Sequence, residues 1–182
     1  MKYTDACVKA VEAYEDGMTD CEAKMRETEQ AFSTGKMSSG AYDSRREELA
    51  GIKNGLYVQM VQTINAARDA YIAELPRRYR RDSETMDVAD LELLTSAAAN
   101  LSSADVQSMF EKHAGSLGMQ GAIVEANAKR TDPAPLTYYD QKMREEDAST
   151  FASSMIGAGR ERGMRAAMAI EGRYIPASLV GE

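Results

Sequence analysis

From Tyr3 the less polar residues return at Cys7, Val11, Tyr14, Met18, Cys21, Met25, Thr28 and Phe32, in alternating steps of four and three after an initial pair of fours. That spacing is a heptad seam, the pattern by which one helix lies along another. It constrains the chain more than any other feature. The intervening positions Glu12, Glu15, Asp16, Asp20, Glu22, Glu27 and Glu29 give the helix an acidic, solvated opposite face. Gly17 interrupts the pattern at a cost of about 1 kcal/mol relative to alanine, too little to break a helix of this length.

Ser33 to Gly40 reads STGKMSSG, a cluster of turn formers, so the chain reverses there. A second helix is expected from Ala41 to Leu75, with Tyr42, Leu49, Ile52, Leu56, Met60, Ile64, Ala67, Tyr71 and Leu75 on its apolar line. Tyr57, Val58 and Val61 widen that stripe, which predicts more packing partners for the second helix than for the first. Pro76 should end or kink it. The expected protein interface comprises Val11, Tyr14, Met18, Cys21, Met25, Phe32, Leu49, Ile52, Leu56 and Met60.

Shorter helices follow. One runs from Val88 to Ala99; a second is opened by Ser102 with Asp105 in a capping-box pattern, carries Val106, Met109 and Phe110, and stops at Gly115; a third spans Met119 to Lys129. Asp132-Pro133-Ala134-Pro135 is the linker candidate. Beyond it Thr137 and Asp140 mark the start of a last helix, in which Tyr139, Met143, Phe151 and Met155 are expected on one face. Gly157, Gly159, Gly163 and Gly172 should fray its far end. The fold class is therefore all-α: a long antiparallel hairpin with a basic end (1–82), a small three-helix unit (83–131), and a linker with a C-terminal helix and tail (132–182). Alternating strand patterns are missing.

The chemistry-bearing motifs are few. Nucleophilic catalysis needs a base such as histidine positioned by a third group, and the single histidine, His113, falls near a helix end, which favours a solvated or helix-terminal role over catalysis. The carboxylates lack the Glu-x-x-His repeats of bundle metal centres, and the glycines from Gly157 to Gly163 have the wrong spacing and context for a dinucleotide loop. No cofactor, metal or catalytic residue is expected. Cys7 and Cys21 on one helix are separated by about 21 Å, too far for a disulfide between them.

Arg77, Arg78, Arg80 and Arg81 around Tyr79 form the one dense basic patch. Beyond a helix C-terminus such residues complement the dipole and can pair with the acidic first helix. The alternative is a DNA-binding or regulatory role using this patch with the helices of residues 102–129. A net charge of −7 disfavours nucleic acid as a general partner. Without an apolar leader or span, a cytoplasmic setting in a bacterial host, or a virion-associated one, is expected.

The acidic coiled-coil half, the break at Leu75-Pro76-Arg77-Arg78-Tyr79, and the runs Asp90–Ser96, Leu101–Val106 and Met109–His113 together resemble small helical proteins encoded among bacteriophage head genes. The resemblance implies a non-enzymatic, scaffold-like assembly or prophage structural protein. It would work as a homo-oligomer, a dimer or higher, with other phage structural proteins as partners, and it transfers no catalytic residues.

Overall fold

A computed structural model describes residues 2–81, 86–96, 100–160 and 175–180. Among these residues the chain is all-helical: α1 (Tyr3–Ser33), α2 (Ser39–Arg78), α3 (Val88–Ser96), α4 (Ser103–Lys112), α5 (Leu117–Asn127), α6 (Gln141–Arg160), and a 3-10 turn, Ala177–Leu179. None of the described helices is long and apolar enough to cross a membrane. The chain divides into two compact units. The first is Met1–Tyr71 with Asp147–Glu182, and the second is Ile72–Glu146. These bounds cut the chain differently from the hairpin, bundle and tail expected from sequence, because α2 and α6 each contribute to both units.

In the first unit α1 and α2 form the expected antiparallel hairpin. Their partners run in opposite directions along the two helices: Tyr3 stacks on Tyr71 at 5.0 Å, Tyr14 meets Tyr57 edge-on at 6.3 Å, and Phe32 stacks on Tyr42 at 4.5 Å. Gly35, with φ of 71°, makes the reversal in a conformation that side chains resist. Gly17 belongs to this packing, since a Cβ there would lie 2.8 Å from both methyls of Leu56. Its cost to the helix is the condition for close approach.

The relative widths of the two stripes are the reverse of expectation. The first four turns of α1 bury Tyr3, Thr4, Ala6, Cys7, Val8, Ala10, Val11 and Tyr14, whereas α2 buries a narrow line of Leu49, Met60, Ile64, Tyr71 and Leu75. The reason is α6. Its Phe151 ring packs edge-on against Tyr3 at 5.9 Å, the Tyr3 hydroxyl donates to the Ala148 carbonyl at 2.6 Å, and a Cβ on Gly159 would run into Met60 and touch Val11. The start of α1 thus serves two helices, and below Val11 the described hairpin has one seam.

Ala148, Phe151, Ala152, Met155 and Gly159 make the buried stripe of α6. Met143 is 45% exposed and Tyr139 precedes the helix, so neither shares that stripe as expected. Eight residues from Met143 to Phe151 advance about 80° beyond two full turns, which sets them on different faces. The start of α6 is capped by Asp140 itself, which accepts from the Met143 N–H at 2.8 Å; Thr137 is not the cap. The helix runs through Gly157 and Gly159 to Arg160, while Gly163 and Gly172 lie outside the described residues. Leu179 is fully buried beside a Ser178–Asp147 hydrogen bond, so part of the C-terminal tail is held in this unit.

The second unit has its own core of Leu94, Val106, Met109, Phe110, Met119, Ile123 and Ala134. The capping box at Ser102 and Asp105 forms as expected, and Ser116 caps α5 by accepting from Met119 at 3.3 Å. α5 stops at Asn127, short of Lys129, and α3 is described to Ser96, the remaining expected residues to Ala99 lying outside the described ones. α2 passes Pro76 and ends at Arg78. A proline inside a helix costs about 3 kcal/mol; full burial of Leu75 and a Tyr79 N–H to Leu75 carbonyl bond at 3.0 Å offset it. The segment expected as a linker is instead pinned in this core. Asn127 donates to the Ala134 carbonyl at 2.8 Å and accepts its N–H at 2.9 Å, so one side chain satisfies a buried peptide unit from both sides.

Candidate functional site

The residues expected at an interface separate into two groups. Val11, Tyr14, Cys21, Leu49 and Met60 are buried within the first unit and are occupied by its own packing. Met18, Met25 and Leu56 are half-buried, and Phe32 and Ile52 are each 42% exposed. The second group is what the hairpin can offer to another chain. It lies on the arm beyond Val11, where one seam holds two helices together and the outer flanks of that seam stay open to solvent.

The arginine run is partly used within the second unit. Arg81 makes a two-pronged contact with Glu125 of α5 at 2.9 and 2.7 Å, which holds the Glu125 carboxyl below its ordinary range and raises Arg81. This pairing is with α5, not with the acidic first helix that the sequence suggested. Tyr79 packs edge-on against Tyr138 at 6.2 Å and donates its hydroxyl to the Tyr139 carbonyl. Gly118 and Gly121 on α5 make room for these contacts: a Cβ on Gly118 would sit 2.2 Å from the Arg80 carbonyl oxygen, and one on Gly121 would sit 2.5 Å from the Tyr138 hydroxyl. Arg77 and Arg80 remain exposed and Arg78 is half-buried. The run works chiefly as a packed corner, with a small cationic remainder at its surface.

One cluster of chemistry-bearing side chains was not expected from sequence. Asp87 precedes α3 and accepts from the Asp90 N–H at 3.2 Å, capping the helix. Asp90 lies 2.7 Å from Nε2 of His113, the C-cap residue of α4. Lys112 Nζ reaches both carboxylates, at 2.8 Å to Asp90 and 3.3 Å to Asp87. Lys112, and then His113, hold the Asp90 carboxyl below the usual range; for Asp87 the backbone hydrogen bond is the larger cause and Lys112 the second. By donor type, two carboxylates and an imidazole could bind a divalent cation, and their ligand atoms lie within 4.8 Å of one another. The Lys112 ammonium, however, already takes up both carboxylates. The arrangement ties α3 to the end of α4 by ionic contacts. Its sequence signal was the Asp87-x-x-Asp90 cap, but the approach of Lys112 and His113 depends on how α3 and α4 pack.

Burial pushes the Tyr3 hydroxyl well above its ordinary range and, for Cys7, pushes the thiol up to about 11. Neither group is poised to react near neutral pH. Comparison with known proteins finds no matching family model, no matching curated protein and no matching solved structure.

Proposed function

We propose that this protein is a non-enzymatic assembly protein that self-associates and binds other proteins through the helices of its hairpin. The observation that carries the reading is the arm of the hairpin beyond Val11, where Phe32 and Ile52 are 42% exposed and Met18, Met25 and Leu56 only half-covered. Exposed apolar side chains in a row along a two-helix arm favour association, and methionines adapt to more than one partner surface. The resemblance to phage head-gene proteins gives the reading its context: a scaffold-like or prophage structural role in which helical oligomers organise other subunits. The DNA-binding alternative loses support, because Arg81 is neutralised by Glu125 and the acidic chain offers only a small cationic remainder around Arg77.

Light scattering on the full chain tests the reading. At micromolar concentration we expect a mass above the 19.9 kDa of one chain, reduced by Met18→Glu or Leu56→Glu. A monomer at all concentrations, unchanged by either substitution, would refute it.

A further inference from the structure

Two carboxylates and an imidazole meet where the start of α3 comes against the end of α4. Asp87 caps α3, Asp90 stands in its first turn, and His113 is the C-cap of α4. The core of the second unit fixes the backbone on both sides, through Leu94 of α3 and Val106, Met109 and Phe110 of α4. His113 Nε2 lies 2.7 Å from Asp90 Oδ2 and 4.0 Å from Asp87 Oδ2, and one ligand atom from each of the three residues fits within 4.8 Å. Around a tetrahedral zinc ion with bonds of about 2.0–2.1 Å, neighbouring ligand atoms stand about 3.3 Å apart. Shifts of roughly 1 Å at the side-chain ends bring this set to that spacing.

The place between the carboxylates already holds a positive charge. Lys112 Nζ sits 2.8 Å from Asp90 Oδ2 and 3.3 Å from Asp87 Oδ2, the same two oxygens that face the imidazole. The end of α4 adds to the attraction, since the carbonyls at a helix C-terminus favour a cation. The ligands and the lysine differ in how they are held. The His113 and Asp90 side chains are 13% and 18% exposed, whereas Lys112 is 58% exposed on a flexible four-carbon stem, so its ammonium can swing into solvent and leave the others in place. One ammonium also balances only half the charge of two carboxylates, and a divalent ion balances it fully. With its proton on Nδ1, the imidazole offers the Nε2 lone pair to the same ion.

We propose that Asp87, Asp90 and His113 bind a divalent transition cation of the zinc type, which displaces the Lys112 ammonium from between the two carboxylates. Three protein ligands leave a further position for water. An imidazole beside two carboxylates suits zinc and its neighbours and sets them above magnesium or calcium, which prefer oxygen alone. The ligands come from two helices, so the ion binds the folded second unit and ties α3 to α4 more firmly than the lysine does. The site stands apart from the self-association reading, and neither depends on the other.

The test titrates Zn2+ into the full chain at neutral pH and follows the imidazole signals by NMR. His113 is the only histidine and both cysteines are buried, so the signals report this site. Zn2+ is expected to shift them saturably, one ion per chain, in the micromolar range, and to raise the Tm; Mg2+ should do neither. Asp90→Asn and Asp87→Asn should each weaken binding by more than about tenfold, the second while keeping a good helix cap. Lys112→Met removes the competing ammonium and should tighten binding by about tenfold, an outcome that a purely structural ion pair does not give. If either asparagine variant loses helical content by circular dichroism, Lys112→Met decides. His113 signals unmoved by millimolar Zn2+, or moved as readily by Mg2+, would overturn the proposal. So would Zn2+ binding that is undiminished in both folded asparagine variants, which would mark an adventitious ion only on a lone imidazole, or binding that Lys112→Met fails to tighten.

Discussion

Gly118→Ala adds one methyl group at the start of α5, where the backbone after α2 crosses. Measured on the structure, the new Cβ would lie 2.2 Å from the Arg80 carbonyl oxygen, 2.9 Å from its carbon and 3.1 Å from the Tyr79 carbonyl oxygen. These are backbone atoms, so no rotamer change relieves the overlap. Relief requires α5 and the 79–81 segment to part by roughly 1 Å, which strains the Arg81–Glu125 contact, the Tyr79–Tyr138 pair and the 3.2 Å Tyr138 hydroxyl to Leu117 carbonyl bond. Against this stands the helix-propensity gain of alanine, about 1 kcal/mol. Overpacking of this kind costs about 1–3 kcal/mol, and a clash with backbone atoms belongs at the upper end, so with the propensity gain subtracted a net loss of about 1–2 kcal/mol is expected. Urea denaturation followed at the helical band measures it. Gly157→Ala is the control, since a Cβ there meets nothing within 4 Å and should add up to about 1 kcal/mol. If Gly118→Ala is as stabilising as Gly157→Ala, the close crossing at Arg80 is wrong.

Three further outcomes follow from the same geometry. Asn127→Ala strips both partners from the buried Ala134 peptide and should cost about 2–4 kcal/mol in the same denaturation assay; Asn127→Asp should rescue the Ala134 N–H partner alone. Glu125→Gln should cost no more than about 1 kcal/mol, as the Arg81 pair is substantially exposed. Because folding lowers the Glu125 pKa, the pair's contribution is present above the unfolded carboxylate range and lost as pH falls through the lowered folded value. The difference between wild type and Glu125→Gln, followed by denaturation from neutral pH to about pH 3, should therefore shrink toward the acid end. Cys7 and Cys21 are both buried, so a thiol reagent at pH 8 should react with neither until denaturant is added; rapid native labelling would contradict the packing of α1.

The hairpin was readable from sequence because it rests on local signals: a repeating seam, a turn cluster and a second apolar line. The capping box at Ser102 was readable for the same reason. What sequence could not supply was which helices share which neighbour. Ala6 and Val8 lie off the α1 seam yet are buried, in the stretch where Tyr3 meets Ala148 and Phe151 of α6, and α6 could not be assigned to that place from its own residues. Arg144, a seam position of α6 by spacing, is buried where periodicity leads one to expect an apolar residue, and this shifted the expected face toward Met143. Proline pairs usually mark linkers, yet Asp132 to Pro135 is anchored through a single asparagine seven residues before Ala134. The cluster brings Asp87 and Asp90 to Lys112 and His113, more than twenty residues away in sequence, so nothing of it beyond the helix starting at Val88 was read from the sequence.

The central claim is that this chain works by associating through its hairpin helices. Sedimentation equilibrium of the full chain over a concentration series tests it most directly. The account predicts a mass rising from 19.9 kDa toward at least twice that value in the micromolar range; a mass fixed at 19.9 kDa across the series would contradict it.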